Sequence, residues 1–261
     1  MKKILLILVC VLFLAGVTQA ATPVPVSFWE MEEPSGLTAG DTMGLNPGNL
    51  EGGLDFAVHA VAGREAGKQA LHFGTGAADV LRVPTSSSLA SYDAMSFMCW
   101  VNLDSAQQLQ VFVSTEDATT FVKGFCSLIY PGTSYAVYAS DGTTPGSTGI
   151  TGPALAVGEW HMLTYTHDGV GLGALYIDDS LAPVDTTAQL HAPSAADWLF
   201  GHSWLFGDRP MLGSMDEAAY WNVALSADEV REIYLEGVTI PEPATMALLG
   251  LGALGLLRKR R

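Results

Sequence analysis

The sequence predicts an all-β fold: a two-sheet antiparallel sandwich with one short C-terminal helix. Three observations predict it. Short apolar or alternating runs recur between clusters of Gly, Pro, Asn and Asp, the punctuation of antiparallel strands and tight turns. Roughly 220 residues lie between two strongly apolar ends, a length common for a single β-sandwich. Only one stretch keeps a helical period between a start signal and a stop signal.

The strands read in order. Val26 to Glu30 opens the series, followed by Leu71 to Phe73 and Val80 to Val83. Met95 to Leu103 is too continuously apolar to be half exposed, so it is buried on both faces. Gln110 to Ser114, Ser127 to Tyr130 and Tyr135 to Ser140 come next. Trp160 to His167 alternates, Gly173 to Asp178 ends in an Asp-Asp-Ser turn, and Trp198 to Gly201 and Gly213 to Trp221 complete the set. Trp100 and Trp160 fall in the most central runs and are expected in the core. The helix follows: Ser226 and Glu229 have capping-box spacing, Val230, Ile233 and Tyr234 share a face, and Gly237 ends it.

Both ends of the chain read as signals rather than fold. Met1-Lys2-Lys3, an apolar run from Ile4 to Val17 and the small residues after it form a secretory signal peptide over residues 1–20. Its cut falls between Ala20 and Ala21, the work of a signal peptidase. At the other end Pro241-Glu242-Pro243 precedes an apolar run from Ala244 to Leu257 and then Arg258-Lys259-Arg260-Arg261. That run is shorter than the roughly 20 residues that span a bilayer comfortably, and its basic end resists translocation. It is built for transient membrane anchoring through a short helix. The tripartite pattern over residues 239–261 resembles the PEP-CTERM sorting signal of exported bacterial proteins. The resemblance implies an exosortase as partner, with cleavage near the motif, and a place at the cell envelope, cell surface or extracellular matrix.

Charge narrows the partners further. Between the two signals stand 6 basic and 26 acidic residues, a balance of −20. So acidic a domain excludes nucleic acid as a partner. It suits an exterior where divalent metal screens or binds carboxylates, although acidity also serves solubility alone. Cys99 and Cys126 are the only thiols between the signals. In an exported protein they are candidates for one disulfide, or else small buried core residues.

Four segments, taken together, resemble the concanavalin A-like, laminin-G-like (LamG) jelly-roll domains of exported bacterial proteins. They are Phe28-Trp29-Glu30 with the turn from Asp41 to Leu50; Ala70 to Phe73 through Val83-Pro84, Ser88-Leu89 and Met95 to Val101; Gly158 to Leu163 with Leu175 to Asp178; and Gly213 to Glu217 with Tyr220, Asn222 and Ala224 to Val230. The match spans residues 22–238 and implies a two-sheet jelly roll. It also implies a calcium site, since related domains hold the ion between the first turn and the last strand. The positions that correspond are Asp41, Asn46 and Asp216. Turn chemistry offers the other account of Asp41 and Asn46, as Asx-type turns.

The resemblance also admits glycoside hydrolases, which set two carboxylates on one face of a strand. No such spacing is legible. Glu30 to Glu33 lacks the Asp and runs into Pro34, Asp178-Asp179 is a hairpin tip, and Asp216 and Glu217 are adjacent, so strand alternation puts them on opposite faces. His161 reads as a hydrogen-bonded packing residue, and the other five histidines as surface or turn residues. Trp198, Trp204 and Phe206 are the aromatics available for stacking on a sugar; packing within core or loop accounts for them as well. The sequence therefore reads as an exported, non-enzymatic adhesion, structural or carbohydrate-binding domain associated with extracellular polysaccharide. The alternatives are a dedicated sugar-binding module and a divergent glycoside hydrolase.

Overall fold

The computed structural model describes residues 22–240, apart from 75, 77, 91–93, 118, 133, 181–184, 189–190 and 206. The N-terminal signal with its Ala20–Ala21 cut, the Pro241-Glu242-Pro243 motif with its apolar run and basic tail, and Phe206 lie outside the described residues. In chain order the strands are β1 Ser27–Trp29, β2 Thr38–Ala39, β3 Gly48–Glu51, β4 Ala60–Ala62, β5 Gln69–Phe73, β6 Val80–Val83, β7 Ala94–Leu103 and β8 Gln110–Ser114. They continue as β9 Phe125–Ile129, β10 Ser134–Ala139, β11 Thr148–Ala154, β12 Trp160–Asp168, β13 Leu172–Ile177, β14 Asp185–Ala188, β15 Trp198–Phe200 and β16 Gly213–Trp221. Helix α1 is a single turn, Phe56–His59, and α2 is Ala227–Glu236. No helix among the described residues is long and apolar enough to cross a membrane.

The strands form two eight-stranded sheets. The first runs β14-β13-β12-β7-β16-β5-β4, with β1 also paired to β16. The second runs β11-β10-β9-β8-β15-β6-β3-β2. Every assigned pair of strands is antiparallel. Neighbours in the sheets are often distant in sequence, as where β16 inserts between β5 and β7, so the sheets close only when the chain's two ends meet. All-β jelly-roll architecture with a short C-terminal helix is what the sequence led us to expect. The additions are the one-turn α1 and the short strands β2, β3, β4, β11 and β14.

The main core lies between the sheets and holds Trp29, Phe97, Phe125, Tyr135, Tyr165, Trp198, Phe200 and Tyr220 among others. A second apolar layer covers the outer face of the first sheet. There Met98, Trp100, Met162, Tyr176, Ala219 and Trp221 meet Val230 and Ile233 of α2. Trp100 is buried as expected, in this second layer, whereas Trp160 is not fully buried. Both pack under α2 on the outer face, and Trp29 and Trp198 take the inter-sheet positions. The second layer also explains β7, which is buried on both faces because a sheet covers one and a helix the other. The capping box forms as read: Ser226 Oγ accepts the Glu229 N–H (3.3 Å), and the Ser226 N–H donates to Glu229 Oε2 (2.7 Å).

Of the two readings of the cysteines, the small buried residue is the one the structure shows. Cys99 and Cys126 are both free and both buried. Cys99 faces the inter-sheet core, whereas Cys126 belongs to a small cluster on the outer side of the second sheet with Val111, Phe121, Leu128 and Ala136. Cys99 on β7 of the first sheet thus points inward, whereas Cys126 on β9 of the second points outward, with the second sheet between them. Burial raises the pKa of both, which makes them poor thiolates.

Candidate functional site

The outer face of the second sheet carries a cavity of about 280 Å³. Its floor comes from strands: Glu51 ends β3, Val80 and Arg82 lie on β6, and Leu199 lies on β15. Its wall is the turn that follows β15, with His202, Ser203 and Trp204. That turn depends on Gly201, whose φ is +77° and where a Cβ would stand 2.3 Å from the Phe73 ring. A side chain there would push the turn off the sheet.

Trp204 and Arg82 organise the site. The Arg82 guanidinium carbon lies 4.4 Å from the Trp204 ring centroid, a cation–π contact. Arg82 is also ion-paired, with Glu51 Oε1 at 2.9 Å and Asp197 Oδ2 at 3.6 Å. The indole N–H of Trp204 donates to the Asp197 carbonyl (3.2 Å), and Asp197 Oδ1 accepts the Thr85 N–H (2.9 Å). Beneath the wall, the Ser203 hydroxyl donates to Glu116, and Ser203 Oγ accepts the Leu205 N–H (3.2 Å). Glu116 is fully buried, and burial raises its pKa. The wall thus hangs on a buried side chain at one end and an ion-paired arginine at the other. Trp198, the other described aromatic candidate, is fully buried in the core.

The calcium positions fare differently. Asp41 accepts four backbone N–H groups: Phe28 (2.9 Å) and Met43 (3.0 Å) on Oδ1, Leu45 (3.1 Å) and Asn46 (2.8 Å) on Oδ2. A carboxylate has about four lone-pair sites, so these bonds use it up. The Asn46 amide oxygen accepts the hydroxyls of Ser86 (2.6 Å) and Ser88 (3.2 Å), while its Nδ2 donates to Ser27 and Ser88. Asp216 accepts the Arg64 N–H (3.0 Å). Among the described residues no three His, Cys, Asp or Glu side chains group as metal ligands. The three positions do not fit a calcium cage; Asp41 and Asn46 instead tie the first turn to β1 and the 86–88 loop.

Asp216 and Glu217 overturn the alternation argument. β16 slips register between Asp216 and Ala219, and Glu217 has a φ of +43°. This β-bulge breaks the period of two. Both carboxylates consequently reach one residue: Asp216 takes the Arg64 backbone N–H, and Glu217 Oε2 pairs with the Arg64 guanidinium at 3.1 Å. Burial, reinforced by Glu217 and Glu32, raises the Asp216 pKa to about 7 against the pull of Arg64. Yet Asp216 is shut in, while Glu217, with 21% of its side chain exposed, is held by Arg64. Asp216 is 2% exposed, and a Cβ on Gly63 would lie 2.9 Å from its Oδ2. The pair clamps the β4–β5 turn onto β16.

The histidines split. His161 Nδ1–H donates to Asp178 Oδ2 (2.9 Å) while its Nε2 accepts the Ala156 N–H (3.1 Å), the packing role expected. His59 and His167 are buried rather than superficial. His167 stacks on His191 at 4.2 Å, and burial lowers the His191 pKa to about 3.

Comparison with known proteins agrees with this architecture. A sequence family described as the concanavalin A-like lectin/glucanases superfamily matches residues 75–231, more than half of the chain. The PEP-CTERM protein-sorting motif matches residues 239–261. That motif marks an exported bacterial protein addressed to the cell envelope, and it implies processing by an exosortase. No curated protein matches the chain. Among solved structures, domain 4 of AbnA, a GH43 extracellular arabinanase from Geobacillus stearothermophilus in complex with arabinotriose, is similar at 16% identity and TM-score 0.60, over 81% of this chain and 98% of that one. A Trypanosoma rangeli sialidase in complex with 2,3-difluorosialic acid is similar at 13% identity and TM-score 0.59, over 85% of this chain. This chain spans about a third of the sialidase, since the match covers 34% of it. The receptor-binding domain of botulinum neurotoxin type G gives 13% identity and TM-score 0.57, over 82% of this chain and 51% of that one. At these identities the likeness shows the fold.

Proposed function

The chain belongs to the concanavalin A-like lectin/glucanase superfamily, and on that premise we propose that it is a non-catalytic, envelope-associated carbohydrate-binding domain. Its ligand is a neutral glycan held at the Arg82–Trp204 cavity. The observation that carries this reading is an aromatic ring and a cluster of polar side chains converging on one cavity of the second sheet's outer face. Sugars present apolar faces that stack on rings and hydroxyls that need donors and acceptors. Neutrality follows from the charges. The one arginine of the cavity is engaged by two carboxylates, and the domain carries a balance of −20 between its signals. A sugar carboxylate would meet repulsion and, among the described lining residues, no arginine or lysine without a carboxylate partner. The absence of catalysis is supported by the burial of Asp216 and by the pairing of Glu217 with the Arg64 guanidinium.

Calorimetric titration with neutral arabino- and gluco-oligosaccharides tests it. Binding without turnover is expected, weakened at least tenfold, about 1.4 kcal/mol, in Trp204→Ala. No binding to any neutral glycan, or turnover lost on mutating one carboxylate, would overturn it.

A further inference from the structure

Both ends of the described chain pack on the same apolar layer. At the start, the Pro23 carbonyl accepts the indole N–H of Trp221 (2.7 Å), the Val26 N–H donates to Tyr220 (2.7 Å), and Phe28 joins the cluster beneath α2. At the finish, Tyr234 stacks on Trp100 at 5.3 Å between centroids. Val238 and Ile240 then pack against the same cluster. Pro23 comes three residues after the predicted signal cut, and Ile240 directly precedes Pro241. The folded domain therefore runs into the sorting motif without a linker.

The candidate sugar cavity is on the other side. The α2 layer covers the outer face of the first sheet, and the Arg82–Trp204 cavity opens on the outer face of the second. Between them lie two stacked sheets, about 10 Å apart, with a layer of side chains on each outer face. The motif residues 241–243 span at most about 10 Å even fully extended, which is too little slack for the domain to turn over.

We infer that the unprocessed chain is mounted rather than tethered: the outer face of the first sheet, with α2, abuts the membrane that holds the apolar run, and the outer face of the second sheet points away. The inference rests on the reading of that run as a membrane anchor. It does not depend on sugar binding. Nor does it need lipid affinity in α2, which carries Asp228, Glu229, Glu232 and Glu236 against Arg231. The missing slack holds the face there.

Protein cut at the signal site, so that Cys10 and the N-terminal apolar run are gone, but keeping the C-terminal run and carrying a dye on either of two added thiols, tests it. Leu235→Cys reports α2, where Leu235 is 60% exposed; Asn49→Cys reports exposed β3 on the far face. Cys99 and Cys126 stay buried and unlabelled. The probe is phosphatidylcholine vesicles doped with a head-group nitroxide lipid. Quenching should be several-fold stronger at position 235 than at position 49, and a long Gly/Ser insertion between Ile240 and Pro241 should erase the difference. Vesicle-bound protein with equal or reversed quenching overturns the mounting and leaves the anchor reading intact. Protein that fails to float with the vesicles overturns the anchor reading, and the mounting with it.

Discussion

Two regions of the sandwich's outer faces, the layer under α2 and the Arg82–Trp204 cavity, have been treated in opposite ways. On the first sheet, Trp100, Trp221, Met98 and Met162 form an apolar layer that α2 and the segment to Ile240 seal. On the second, Glu51, Arg82 and the Trp204 turn leave a cavity open. The same strand periodicity underlies both. What separates them is a cover: ten residues of helix and a few beyond. A sheet face becomes core when an amphipathic element lies on it, and remains available as a surface when none does. Tryptophan makes the contrast plain, because its role follows from what lies over it.

The largest effect should come from breaking the sealed face. Trp221→Ala removes a fully buried ring and should cost about 3–5 kcal/mol. In a domain of this size that lowers the melting temperature by about 6–20 °C. Trp204→Ala should move it by a few degrees at most while weakening glycan binding at least tenfold. Equal destabilisation by the two would show that Trp204 is core.

Asp216 should report the buried clamp through pH. Its pKa is raised to about 7 by burial, so between its unfolded value and pH 7 the folded state binds more protons than the unfolded. Stability therefore falls as pH rises through that window. Asp216→Asn should flatten the slope and raise stability at pH 8 by on the order of 2–4 kcal/mol, with little change at pH 4. His191 acts in the other direction. Its pKa is lowered to about 3, so acidification from pH 6.5 costs stability. Denaturant titrations across pH separate the two, and an Asp216→Asn curve parallel to the parent would refute the clamp.

Smaller effects sharpen the picture. Ser226→Ala should cost about 1 kcal/mol through loss of the capping box, measured by urea unfolding. The smallest is an expected zero. A calcium ion bridging Asp41 and Asp216 would raise the melting temperature by about 5–10 °C at a hundredfold excess over Kd. With Asp41 saturated by four backbone N–H groups, melting curves with calcium and with chelator should coincide.

Several elements were legible in the residues because their causes are local. The eleven runs read as strands form strands, since alternation and flanking turn residues are written within a few positions of each other. The capping box at Ser226 and Glu229 needs only a spacing of three. The added strands β2, β3, β4, β11 and β14 carried no such signal. β11 holds two glycines and a proline, and its pairing is supplied by β10 rather than by its own propensity.

What the sequence by itself determined is the class and the address: an antiparallel β-sandwich, strongly acidic between its ends, with a sorting motif that begins where the domain stops. These depend on composition and short-range order. Tertiary structure decided which faces are covered and which groups meet. The bulge at Glu217 that turns two neighbouring carboxylates onto Arg64, 153 positions away, arises from register against β7. The contact of Arg82 with Trp204 exists because β15 is laid between β6 and β8. The separation of Cys99 from Cys126 follows from which sheet each strand joins and which way it faces. Strand order in a jelly roll is settled by burying all the apolar faces at once, and no local spacing records the outcome.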